Sequence, residues 1–126
     1  APTAFYTVEC YYTRAIAFRP DDHVLRALYA DYLVKAKRRD AALEQLKVVV
    51  KVANDNPIAR YNAGLIYFEM GEYTLALEQA HFASENGYPR PDLRESLKKA
   101  GQWAEPPDPA ASAAAPLPAS APSAEP

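Results

Sequence analysis

The chain holds one cysteine, one methionine, one tryptophan and four glycines in 126 residues, and these scarcities exclude several classes of protein at once. A single thiol, Cys10, closes no intramolecular disulfide and supplies no multi-thiolate metal site. Four glycines, spread over positions 64 to 101, make no Gly-rich phosphate loop, and neither a Gly-x-Ser-x-Gly turn nor a His-Glu-x-x-His pair occurs. Only two histidines are present, His23 and His81, and they fall on different expected helices. A Cys10–His pairing as nucleophile and base would need a coincidence of the fold, so Cys10 reads as a small helix hydrophobe and no residue is assigned to catalysis, a metal or a cofactor. No run approaches the ~20 consecutive apolar residues of a membrane span, and the first residues lack the basic start and apolar stretch of a signal peptide. Charge of one sign is missing as well: 14 Lys+Arg against 16 Asp+Glu gives −2, which does not suit a nucleic-acid binder. The start at Ala1 rather than Met fits a processed protein or a fragment, and the compartment is left open.

Proline is abundant but unevenly placed. Seven of the 12 lie in the last 23 residues, together with nine alanines and no Lys or Arg. Composition therefore divides the chain into a body, residues 1–103, and a tail, residues 104–126, expected to be disordered with polyproline-II character. The tail reads as a passive spacer, since no basic residue flanks the prolines as recognition by a proline-reading groove often requires.

Within the body, Ala42-Leu43-Glu44-Gln45 recurs as Ala76-Leu77-Glu78-Gln79, 34 residues on. The same step pairs Arg26 with Arg60 and Arg94, Ala30 with Gly64, Val8 with Ala42 and Ala76, and Ala15 with Val49 and Ala83. Small residues meet small ones, as repeated helix–turn–helix units need where helices cross closely.

Helix signals agree with that register. Phe5, Val8, Tyr12, Ala15 and Ile16 form one apolar stripe and predict a helix from about residue 4 to 18. Asp22 is the expected N-cap of a second helix through Leu25, Leu28, Tyr29, Tyr32 and Leu33. Asp40 is expected to open a third, with Leu43, Leu46, Val49 and Val50 on its buried side. Asn56 before Pro57 starts a fourth that stops near Gly71. A fifth runs from Tyr73 to Glu85 and ends at Asn86-Gly87, and Pro91 opens a short last one through Leu93 and Leu97, closed by Gly101.

Tyr61-Asn62-Ala63-Gly64-Leu65-Ile66-Tyr67, Gly71-Glu72-Tyr73, Ala76-Leu77 and Ala80 resemble the consensus of a tetratricopeptide repeat. Residues 57–90 resemble one full repeat, 23–56 a more degenerate one, and 1–22 the closing helix of a third. Arg26 and Arg60 depart from the pattern where the family often has a large aromatic, and Lys37 replaces the turn glycine represented by Gly71. The resemblance implies an all-α solenoid of helical hairpins, about two and a half repeats plus a capping helix, acting as a non-catalytic interaction module. It also implies a concave groove that takes a peptide segment of a partner, lined by Val24, Ala27, Leu28, Asp31, Lys35, Ile58, Tyr61, Asn62, Leu65, Phe68 and Glu69. Helical spacing leaves Leu28 and Leu65 open between groove and core, while Tyr61 and Phe68 are assigned to the groove as aromatic anchors. Relatives that clamp a terminal carboxylate use an asparagine like Asn62 with nearby basic residues, but Ala27, Asp31 and Ile58 stand at the matching places, so no such clamp is expected. The alternative is a structural subunit whose open first-helix end, at Phe5, Val8 and Tyr12, docks onto another copy or onto missing repeats of the same polypeptide.

Overall fold

A computed structural model describes residues 7–106. The calls on Phe5 and on most of the tail, residues 107–126, lie outside the described residues. The described residues form six helices and no strand: α1 Val8–Phe18, α2 His23–Lys35, α3 Arg39–Ala53, α4 Pro57–Glu69, α5 Tyr73–Glu85 and α6 Asp92–Lys99. Hairpins α2/α3 and α4/α5 pack most extensively, α1 leans on α2, and α6 closes the far end against α4 and α5. The fold is an all-α array of helical hairpins.

Local sequence sets most of the helix boundaries. Asp22 Oδ1 accepts from the Leu25 amide at 3.0 Å, and Asn56 Oδ1 accepts from the Ile58 and Ala59 amides at 3.1 Å, so both expected N-caps are in place. Two starts differ from the expectation. Thr7, in extended conformation, caps α1 through Oγ1 to the Cys10 amide, so α1 begins at Val8 rather than near residue 4. Arg38, not a carboxylate-bearing neighbour, occupies the N-cap of α3, and the helix opens at Arg39 ahead of Asp40. There the chain leaves α2 by a backbone motif, with the Arg38 amide donating to Leu33 O at 2.8 Å and the Lys37 amide to Val34 O at 3.1 Å. Gly71 repeats that exit one unit later, through Glu72 N to Tyr67 O and Gly71 N to Phe68 O.

The shared exit explains why Lys37 stands at φ 64° where Gly71 stands at φ 80°. A left-handed conformation costs a residue with a Cβ about 1–2 kcal/mol, part of which glycine returns through the larger entropy of its unfolded chain. Lys37→Gly is accordingly expected to stabilise the protein by about 0.5–1 kcal/mol, read as a raised urea midpoint at unchanged slope.

The core runs through the array along the small residues of the repeat. Ala30, Leu33, Ala42, Leu46, Ala63, Ala76, Ala83, Leu93 and Leu97 are fully buried. At the α4/α5 crossing Gly64 leaves no room: a Cβ there would lie 2.9 Å from both Gln79 Cβ and Leu93 Cδ2.

The recurring arginines have a definite use. Arg26 donates to Pro20 O at 2.6 Å and to Gln45 Oε1 at 2.9 Å; Arg60 donates to Asn54 O at 2.9 Å and to Gln79 Oε1 at 2.8 Å. Each fastens the entry loop of its hairpin to the second helix, and Arg60 also stacks 3.7 Å above the Phe82 ring. Their heads are bonded to protein rather than left to water. Arg94, the third in register, makes among the described residues only a loose pair with Glu95 at 3.9 Å.

Beyond Lys99 the chain turns at Gly101 and comes back over α5. Trp103 meets His81 edge to face at 5.1 Å, His81 Nε2 donates to Ala104 O at 2.8 Å, and Trp103 Nε1 donates to Glu105 at 2.9 Å. Ala104 and Glu105, which composition groups with the tail, thus touch the body.

Candidate functional site

The first helices of the two complete hairpins, α2 and α4, share one side of the array and enclose an open groove of about 680 Å³. Val49 of α3 forms part of its floor. Eight of the residues expected in the groove line it: Val24, Ala27, Leu28 and Asp31 from α2, and Ile58, Asn62, Leu65 and Glu69 from α4. Leu28 and Leu65, both left open between groove and core, are thus on the groove side, and His23, Asn56, Ala59 and Ile66 complete the lining.

Exposed aliphatic side chains dominate this wall: Val24, Leu28, Ile58 and Leu65 are 40–59% accessible. Isolated apolar residues on a surface need no explanation, but these four converge on one concavity. Asn62 stands exposed among them, and its amide makes no side-chain hydrogen bond among the described residues. Asp31 and Glu69 form the acidic end. Lys35 lies beside the groove rather than in its lining, and its ammonium reaches both Asp31 oxygens at 2.8 Å. Its hydrogen bonds to the Asp31 carboxylate raise the lysine's pKa, with a smaller contribution from the charge of Glu69. Glu69 itself forms no ion pair among the described residues.

Two assignments need correction. Tyr61 is 3% accessible and does not face the groove. Its hydroxyl accepts from the Leu93 amide at 2.9 Å, its ring meets Tyr88 edge to face at 5.4 Å, and burial pushes its phenol pKa up. Phe68 is half-buried against the core, with its ring edge to face on Tyr73 at 5.4 Å, and is not part of the groove wall. Tyr61 faces α6 and the connection before it, Phe68 faces the first residue of α5, and the large apolar residues of the groove wall are aliphatic.

At the opposite end, the expected assembly surface is rearranged. Tyr12 does not point outward: it stacks on Tyr29 at 5.1 Å and packs on Tyr32, so it belongs to the α1/α2 contact. Val8 is exposed as expected, at 52%, and the sequence reading missed its companions Tyr11 and Phe18, which are 64% and 88% exposed. Their spacing of three and seven on one helix was the available signal. Glu9 is held on the other flank by Arg38, whose hydrogen bond draws its carboxyl pKa down.

Among the described residues no group of three or more His, Cys, Asp or Glu is arranged to hold a metal ion, and no helix is long and apolar enough to cross a membrane.

No protein-family model matches the chain. Over 75 residues it is 32% identical to DnaJ homolog subfamily C member 3 of Rattus norvegicus and 33% identical to the protein of that name from Homo sapiens. The aligned stretch covers 54% of this chain and 15% of each relative, so the chain spans only a small part of their length. The hairpin-repeat fold and this segmental similarity together fit a protein-interaction module.

Proposed function

We infer that the chain is a tetratricopeptide-type module that acts without catalysis and binds an apolar or amphipathic peptide segment of a partner protein in the α2/α4 groove. The observation that carries this reading is the convergence of Val24, Leu28, Ile58 and Leu65 around the exposed amide of Asn62. Aliphatic anchors supply the desolvation energy, and one amide bonds the ligand backbone and fixes its register. The carboxylate of Glu69 favours a ligand with a basic residue at that end. Two hairpins offer a short groove, which suits micromolar rather than nanomolar affinity, with weak salt dependence because the chain is near neutral.

The segment resemblance to a tetratricopeptide repeat and the partial similarity to a DnaJ homologue support a partner-binding role. The test is affinity capture followed by titration of each captured partner with Leu28→Asp, Leu65→Asp and Asn62→Ala variants. All three positions are exposed, so the variants are expected to retain helical circular dichroism. Leu65→Asp should weaken binding at least tenfold, since it places a charge in the apolar wall, and Asn62→Ala severalfold. Equal affinity in all three variants would remove the groove as the binding site.

A further inference from the structure

The turn between α3 and α4 holds one of the two non-glycine residues with positive φ among the described residues. Asn54 stands at φ 39°, ψ −84° as the C-cap of α3, and the Asn56 amide closes the turn on Ala53 O at 2.7 Å. The geometry is close to a type II′ turn with asparagine in the place usually taken by glycine. In an L-residue a ψ of about −120°, the value at that place in such a turn, eclipses Cβ with the nitrogen of the next residue. At Asn54 the two lie within about 40° of eclipsing, so the Asp55 nitrogen is held on the side of the Asn54 carboxamide.

The local hydrogen bonds leave both groups free to meet. Asn54 and Asp55 are exposed, and neither the Asn54 side chain nor the Asp55 amide makes a hydrogen bond among the described residues. The Asn54 backbone is instead fixed on both sides, its amide donating to Val50 O at 2.9 Å and its carbonyl accepting from Arg60 at 2.9 Å. The other asparagines lack this arrangement. Asn56 precedes a proline, which has no N–H. Asn62 lies within α4, where the following amide is taken up in the helix. Asn86 precedes Gly87, the least hindered neighbour, but its ψ of 27° turns the Gly87 nitrogen almost opposite to Cβ, and its Nδ2 donates to Phe82 O at 2.8 Å.

We propose that Asn54 is a site of spontaneous covalent modification, closing to a succinimide that opens to isoaspartate under the direction of Arg60. The Asp55 nitrogen bonds to Asn54 Cγ and gives up its proton, and the carboxamide nitrogen leaves as ammonia. The Asn54 carbonyl oxygen held by Arg60 becomes one of the two carbonyl oxygens of the ring. Water then adds at that carbon, where the guanidinium stabilises the negative charge gathering on the oxygen. The bond from this carbon to the Asp55 nitrogen breaks, and the nitrogen takes a proton from the water. The chain now runs through Cβ and Cγ of residue 54, and the freed α-carboxylate pairs with Arg60. The link between the two hairpins is thereby lengthened by one carbon and gains a negative charge. The site is separate from the α2/α4 groove and does not depend on what the groove binds.

The test compares the full chain with two synthetic peptides, residues 50–60 and 82–92, all incubated in neutral buffer at physiological temperature. Tandem mass spectrometry after proteolysis follows the gain of one mass unit at each asparagine, and isoaspartyl methyltransferase labelling scores isoaspartate. Asn54 should convert about threefold or more faster in the folded chain than in its peptide, because the turn pre-sets the ring, and Asn86 about threefold or more slower. The isoaspartate share at Asn54 should exceed that of the peptide, and should fall toward it in an Arg60→Gln chain that keeps its helical circular dichroism. Asn54→Gly, which suits the positive φ, should keep the fold and remove the signal. An Asn54 rate equal to or below that of its peptide would overturn the proposal, as would conversion at Asn86 alone. An isoaspartate share no greater than the peptide's would overturn the part given to Arg60.

Discussion

Gly64→Leu is expected to be the most damaging single substitution in the array, lowering the free energy of unfolding by about 3 kcal/mol or more. Leucine is the better helix former by about 0.8 kcal/mol, so propensity alone argues for stabilisation. Packing decides the sign. Even a Cβ at this position would lie 2.9 Å from Gln79 Cβ, an atom fixed to the backbone of α5, and 2.9 Å from Leu93 Cδ2. Three further carbons have no space unless α4 and α5 separate, and separation would expose Ala76, Ala80 and Ala83 and strain the Arg60–Gln79 bond. Against the ~5–15 kcal/mol total typical of a domain, the loss is a large fraction. Urea unfolding followed by circular dichroism measures it, and a variant as stable as the parent would mean that the helices do not cross at Gly64.

Leu93→Ala should cost about 2–5 kcal/mol, the range for truncating a fully buried leucine. Leu93 is one of two residues by which α6 holds to the hairpin α4/α5, and its methyl group fills the notch left by Gly64. The same residue anchors α6 through its backbone, whose amide donates to the buried Tyr61 hydroxyl. Truncation leaves a cavity at the meeting point of three helices. It also frees space toward Gly64, so Gly64→Ala should be less harmful in the Leu93→Ala background than in the parent, a non-additivity that thermal melts of the four proteins resolve. A cost below about 1 kcal/mol would show that α6 is a loosely attached appendage rather than a cap.

Asp22, Asn56-Pro57 and the spacing of Ala42 and Ala76 made the hairpins legible, because caps and small-residue positions act through backbone geometry that is local or strictly repeated. The facing of individual side chains on α4 was less so. That helix is apolar nearly all round, and periodicity places Tyr61 and Leu65 on one stripe four residues apart, yet Tyr61 is buried and Leu65 lines the groove. The difference arises from Leu93 and Tyr88, 32 and 27 positions along the chain, which cover one end of the stripe only. Tyr11 and Tyr12 pose the same problem in its sharpest form: adjacent in sequence, one is taken up by Tyr29 and Tyr32 and the other faces out. Lys37 shows the reverse, a local preference overridden by the tertiary demand for a fixed exit angle from α2.

The arginine bonds bear on how such an array grows and shrinks. Arg26 bonds Pro20 O, just ahead of its own unit, and Gln45 within it, and Arg60 bonds Asn54 O and Gln79 in the same register one step later. Pro20 and Asn54 stand 34 residues apart in the same register, so removing or copying a unit returns each arginine an equivalent carbonyl, whereas Arg39, which donates to Met70 O and to Glu72, depends on the unit that follows it. A change of array length in whole steps thus keeps the arginine bonds to entry loop and second helix, and the polar link it has to rebuild is the one that Arg39 makes to the following unit.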